Sequence, residues 1–239
     1  MSGLFSAGTK LFRNLSPDKQ HKVFQAAVHE FASKGYRNAS MNSLVKAAGI
    51  SKGSLFLYFG SKQHLFNSVV EFATSLVKDY LRHVREETKD LDIFQRLEQL
   101  LRAGFRFIDG HPHLARIYFH LLHSGEAPFG AQRILELRRQ AEEFLSELLR
   151  AAASRGQIRS DIDVERTAFL VNAMFEKLLR AYHTEFLASG AGLYRGHPKE
   201  LDEWITATLD MLKHGMASDQ SSGTRDTQVV SRTVLCSPE

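Results

Sequence analysis

Of the chain's 239 residues, 43% are hydrophobic, enough to bury a core without disulfides, and the one cysteine, Cys236, excludes an internal disulfide or a thiolate zinc site and fits a reducing cytoplasm. Net charge is +4, yet residues 1–62 hold nine Lys/Arg against Asp18 and Glu30, a surplus of +7 that leaves −3 for the rest. Positive charge gathered at one end is the electrostatic footprint of a phosphate polymer, not of a uniformly basic surface.

Residues 1–15 read as a leader, flexible or marginally helical, with Leu4, Phe5, Leu11 and Phe12 among small polar residues and Lys10 and Arg13 as a basic arm. It lacks the long apolar stretch of a secretory signal. Ser16 and Pro17 open the first firm helix, a cap followed by proline at its favoured first position. Phe24, Ala27, Val28 and Phe31 form its apolar stripe, and Lys34 and Gly35 close it.

Residues 40–62, S-M-N-S-L-V-K-A-A-G-I-S-K-G-S-L-F-L-Y-F-G-S-K, read as two short helices around a tight turn. Ser40 and Ser51 stand at the two N-caps. Gly49 supplies the positive φ that the turn requires. Leu44, Ala48, Ile50, Leu55 and Tyr58 fall where crossed helices face each other, with Ala47 and Ala48 keeping the crossing close. Lys52, Gly53, Ser54 and Leu57 are left outward on the second helix. A helix-turn-helix lays that helix in the DNA major groove, its first residues against base edges.

The pattern resembles the N-terminal DNA-binding domain of the TetR (tetracycline-repressor) family over about residues 16–72. Ala26, Phe31, Gly35, Ser40, Leu44, Ala47, Gly49, Ser51, Lys52, Gly53, Leu55, Tyr58, Phe59, Lys62 and Leu65 carry the resemblance. Two positions depart from it: Phe56 stands where the family often has tyrosine, and Gly60 where proline is common. The resemblance implies an all-α chain with a head at 16–72 (motif 40–59), a ligand-binding and dimerisation body at 73–216, and a long helix joining them as a lever.

The body reads as helices throughout. Ser61 caps a helix running to about residue 84 with Phe66, Val69, Val70, Ala73, Val77, Tyr80 and Leu81 inward. Further helices span 92–109, 112–123, 128–155, 163–187 and 198–214, about nine in all, and no period-2 run interrupts them. The stretch 163–187 is so apolar that it must be covered on more than one side. No uncharged apolar run reaches about 18 residues, so no membrane span is expected. Residues 217–239, rich in Ser, Asp, Gln, Gly and Thr, read as a disordered tail.

Residue chemistry sets the expected roles. Lys52 can donate to guanine, Ser54 to several bases, and Leu57 can touch a thymine methyl. Gly53 allows close approach to the groove. Arg37, Ser40, Asn42, Tyr58 and Lys62 are placed to hold phosphates, which position without reading, and Ser51, the cap of the second helix, completes the DNA-binding set. A pocket for a small apolar or aromatic effector is implied by the resemblance, with Phe72, Phe94, Phe105, Tyr118, Phe119, Phe144 and Phe175 as its candidate lining. Phe169, Leu170, Phe175, Leu178, Trp204, Ile205 and Leu212 are candidates for a homodimer interface that would set two heads on a palindrome. His111, His113, Arg116, His120 and His123 share one neighbourhood, but without a cysteine or a well-placed carboxylate they read as a solvated or hydrogen-bonded face, not a metal site. No phosphate loop, G-x-S-x-G, H-E-x-x-H or C-x-x-C is present, so no enzyme and no cofactor is expected. The expected function is a repressor that binds duplex DNA as a homodimer and is released by an effector; the alternative is a helical adaptor whose head meets a protein partner.

Overall fold

The computed structural model describes residues 8–124, 130–187 and 192–218. It holds ten α-helices: α1 (Lys10–Arg13), α2 (Pro17–Asn38), α3 (Met41–Ala48), α4 (Lys52–Phe59), α5 (Lys62–Glu87), α6 (Ile93–Gly110), α7 (Pro112–Ser124), α8 (Gly130–Ser154), α9 (Val164–His183) and α10 (Pro198–Met216). No strand forms among the described residues; the nearest approach is one antiparallel bridge between Ile158 and Ala217. The tail from residue 219 and residues 1–7 of the leader lie outside the described residues.

The helix beyond the expected nine is α1, the marginally helical alternative for the leader, and it is docked on the head. Phe12 is fully buried, its ring 4.7 Å from that of Phe59 and 5.8 Å from that of Tyr58. Thr9 donates from its backbone to the Tyr58 carbonyl at 2.8 Å and from its hydroxyl to the Leu57 carbonyl at 3.0 Å. The leader thus satisfies carbonyls that the C-terminal end of α4 leaves open.

Local chemistry explains most other boundaries. Ser40, Ser51 and Ser61 each accept a backbone N–H at their helix starts, from Ser43, Ser54 and His64 at 3.2, 3.0 and 3.1 Å. Gly49 turns the chain between α3 and α4 at φ 67°. Gly60 ends α4 at φ 72°, which proline cannot adopt, so the departure from the commoner residue has a backbone reason. Gly35 breaks α2 at φ 69° where the stop was expected. Ser16 makes no cap bond; Gln20 instead closes that corner, donating to the Arg13 and Leu15 carbonyls at 3.1 and 2.8 Å. Ala47 is exposed and does not hold the α3–α4 crossing; Leu44, Ala48 and Leu55 do.

Two cores result. The head core gathers Phe12, Val23, Phe24, Phe31, Leu44, Leu55, Phe59 and the first half of α5, and takes Leu114, Ile117 and Leu121 from α7. The body core gathers α6, α8, α9 and α10 with Val84 of α5 and Ala115 of α7. α5 and α7 therefore belong to both. The end of α9 is tied to α6 by the Tyr182 hydroxyl, which donates to Asp109 at 2.6 Å. α9 stops at His183 rather than at residue 187, with a 3-10 turn at Glu185–Leu187.

Where α2 meets α7, the rings of His29 and His113 stand edge to face at 5.2 Å. Burial holds His111 below the ordinary imidazole range. Burial, then His29 and Arg116, does the same to His113. Burial, then Arg116, Arg195, His120 and His113, does the same to His183. A base depressed in this way binds fewer protons folded than unfolded, so stability falls as pH drops below the unfolded value of about 6.5. Thermal unfolding is expected to come earlier at pH 5.5 than at pH 7.5, and His113→Gln with His183→Gln should flatten that difference; an equal slope in the variant would refute the assignment.

Candidate nucleic-acid interface and internal chamber

The head presents the N-terminal end of α4 outward. Lys52 and Gly53 are exposed, and Phe56 and Leu57 are 40% and 64% exposed on the same short helix. An added Cβ at Gly53 would find only the Ser51 hydroxyl, at 3.8 Å, so open space lies over this turn. Ser54 is less free than its position implied: it is half-buried and its hydroxyl lies 2.8 Å from that of Ser51.

The predicted phosphate holders fall into two groups. Asn42 and Arg37 are exposed. Lys62 is drawn inward: its ammonium donates to the Arg37 carbonyl at 3.0 Å and sits 5.1 Å from the centre of the Tyr36 ring. Burial lowers its pKa, with Glu30 acting against that. Tyr58 keeps its ring half-buried against Phe12. Ser40 serves as the α3 cap while its own N–H donates to Glu30 at 2.6 Å. Glu30 is buried, which raises its pKa, but the bonds from Ser40 and Lys34 outweigh that and hold it below the usual carboxylate range. This buried carboxylate anchors the start of α3 and was not singled out in the sequence.

α5 to α9 enclose a cavity of about 180 Å³. Of the expected lining, Tyr118, Phe119, Phe144 and Phe175 face it. Phe72, Phe94 and Phe105 do not. Phe72 lies where α5 is still inside the head, edge-on to Phe24 at 5.0 Å. Phe94 packs on the outer side of the body core, and Phe105 is buried against Tyr182 at 5.0 Å. Tyr80, Phe107, Gly104, Leu179, Arg138, Asn172 and Glu176 complete the walls. Gly104 carried a signal: a glycine inside a helix costs about 1 kcal/mol relative to alanine and needs a reason. The reason is Leu179, whose methyl would stand 2.7 Å from an added Cβ. Burial, then the charge of Glu176, with Arg138 opposing, pushes the Tyr118 hydroxyl up to about 12, so it stays a neutral hydrogen-bonding group.

The dimer candidates also divide. Phe169 and Leu170 are 57% and 59% exposed on α9, as an interface requires. Phe175 faces the cavity. Ile205 and Leu212 are buried in the body core because α10 lies along α6, and Leu178 and Trp204 pack half-buried on that core. Met211 is likewise 59% exposed, on α10; its apolar neighbours in sequence gave no reason to separate it from the buried face. Among the described residues no group of three or more His, Cys, Asp or Glu could hold a metal. The side chain of His123 lies outside the described residues.

Comparison with known proteins matches two stretches of the chain separately. A family model described as bacterial regulatory proteins, tetR family, matches residues 23–69, and one described as tetracyclin repressor-like, C-terminal domain, matches residues 91–217. The chain is 26% identical over 174 residues to the HTH-type transcriptional regulator YdgC of Bacillus subtilis, covering 69% of this chain and 81% of that one. A TetR family transcriptional regulator from Chloroflexus aurantiacus superposes with a TM-score of 0.69 at 25% identity, over 88% of this chain and 99% of that one. FadR from Bacillus subtilis, solved in complex with stearoyl-CoA, superposes with a TM-score of 0.64 at 18% identity, over 80% and 96%, and shares the fold. With a cationic helix-turn-helix head, a hollow helical body and both halves matched, the chain belongs to the TetR family of transcriptional regulators.

Proposed function

We propose that two copies of this chain bind an inverted repeat of duplex DNA as a repressor, and that a small molecule in the α5–α9 chamber releases them. One observation carries the reading: Leu65 to Ala73 of α5 build the head core, while Val77, Tyr80 and Leu81 of the same helix line the chamber. Whatever moves the chamber wall therefore moves the head. A ligand acts only through its different affinity for the two arrangements, typically about 1–3 kcal/mol of coupling.

In this reading Lys52, Ser54 and Leu57 meet base edges and Gly53 lets them approach. Arg37, Ser40, Ser51, Asn42, Tyr58 and Lys62 hold the phosphates, and Lys62 must leave the Arg37 carbonyl to do so. Phe169 and Leu170 meet their counterparts on a partner, and the two heads sit about 34 Å apart, one turn of duplex. The head runs from the docked leader to residue 72 and the body from 73 to 216. No helix among the described residues is long and apolar enough to cross a membrane; the place of action is with the DNA, in the cytoplasm. Selection of bound fragments from the source genome, followed by titration of the selected duplex against salt, tests the proposal. Inverted-repeat selection, a steep loss of affinity with salt and weakened binding by Phe169→Glu/Leu170→Glu are expected. No preference over random duplex at low salt would overturn it in favour of a protein-binding head.

A further inference from the structure

We propose that the effector is an amphiphile, with an apolar body in the chamber and an anionic head group held at Lys78 and Arg82 in the slot between α5 and α8. This rests on the chamber being the effector site and adds the chemistry of the molecule that fills it.

The chamber sets the size of the apolar part. At about 180 Å³ it is a little larger than the roughly 150 Å³ apolar cavity that admits benzene. A single ring or a short alkyl chain fills it, and anything longer must emerge.

The exit is a second space of about 390 Å³ between α5 and α8. Val77, Leu81, Tyr118, Ala141 and Phe144 face both spaces, so the two share a wall. Beyond those side chains the character changes. Lys78, Arg82 and Arg85 line the α5 side at helical spacing, and Gln140, Glu143 and Glu147 line the α8 side. A wholly apolar molecule gains nothing from such walls, whereas a charged group keeps both its water and its partners there.

The sign of that group follows from what is already engaged. Arg85 and Glu147 pair across the slot at 3.2 Å and close one end. Two turns back from that pair stand Lys78 on α5 and Gln140 on α8. Lys78 is exposed and has no ion-pair partner among the described residues, and Gln140 is an uncharged amide. Arg82, one turn away, is held only by Asp79 of its own helix, at 2.7 Å on an exposed face. Glu143 stands on α8 one turn from Gln140 and one from Glu147, so the walls carry three cations against two carboxylates, and the surplus positive charge lies at the Lys78 and Gln140 end. The charged groups in the chamber's own lining offer no such preference, because Arg138 and Glu176 stand there together and act on Tyr118 with opposite sign. A carboxylate or phosphate placed in the slot would also lie against α5, the helix that continues into the head.

Calorimetric titration of the full-length protein with octanoate, octyl phosphate, octan-1-ol and octylammonium tests this directly. The carboxylate or the phosphate, whichever head the slot suits, should bind roughly tenfold tighter than the alcohol, and octylammonium no tighter. Lys78→Gln/Arg82→Gln should bring the anion down to the affinity of the alcohol and leave the alcohol unchanged, with an unaltered melting temperature as the check on folding. Anions no better than the alcohol, or an anion advantage that survives in the double variant, would overturn the head-group assignment. If toluene binds and none of the four amphiphiles does, the inference fails while the chamber stands. If Leu179→Trp, which fills the chamber, leaves probe binding intact, or if toluene and the amphiphiles alike fail to bind, the chamber itself is not the effector site and both readings fall.

Discussion

Gly53→Arg is expected to drop specific operator binding to the level of random duplex, roughly 10³-fold weaker, while the protein melts no earlier than wild type. The two halves of that result have separate causes. Gly53 has ordinary helical backbone and open space where a Cβ would go, so arginine strains nothing locally and removes a helix-weakening glycine. A long side chain on this turn, however, stands between α4 and the floor of the groove. Its charge adds to nonspecific attraction for phosphates, so the salt-sensitive background should persist and only discrimination should vanish. Lys52→Ala is the milder companion: one lost base contact, about 1–3 kcal/mol, or roughly tenfold to a hundredfold. Competition titrations of operator against random duplex read both. Wild-type discrimination in the Gly53→Arg protein would show that α4 is not the reading helix.

The second large effect is on stability. Phe12→Ala is expected to cost about 3–5 kcal/mol, the range for removing a buried phenylalanine, because Phe12 has no exposed surface and lies between Phe59 and Tyr58. The loss should not remain local. With Phe12 gone, Thr9 has no reason to stay on the Leu57 and Tyr58 carbonyls, and the C-terminal end of α4 loses two bonds. Operator affinity should therefore fall although Phe12 never touches DNA. Urea unfolding of the variant decides the matter: a loss under about 1 kcal/mol would mean that the leader rides on the head without supporting it.

The difference between Gly53 and Phe12 also marks what could be read from the sequence. Capping and turn chemistry is local, so Ser40, Ser51, Ser61 and Gly49 announced themselves within three or four residues. Helix stripes are nearly as local, and the order of helices followed from them. What stayed hidden depends on partners far along the chain. Phe12 becomes core only because α4, more than forty residues on, offers it Phe59. Ile205 and Leu212 look like interface residues until α10 is seen lying on α6. Tyr80 and Phe107 sit on the same apolar stripes as their buried neighbours, and periodicity does not separate a residue facing a cavity from one facing a packed core. Gly104 was passed over, although a glycine at mid-helix points to a close neighbour whatever that neighbour is.

The unbroken length of α5 has a geometric consequence. Its 26 residues, at 1.5 Å each, make a rod of about 39 Å. A rotation of about 5° about the body end carries the other end sideways by roughly 3 Å, close to the 3.4 Å rise of one base pair. Two heads displaced oppositely by that step no longer meet successive grooves of one straight duplex, so an angular change small enough to be absorbed by side-chain repacking around Val77 and Leu81 is sufficient to put the pair out of phase with its site.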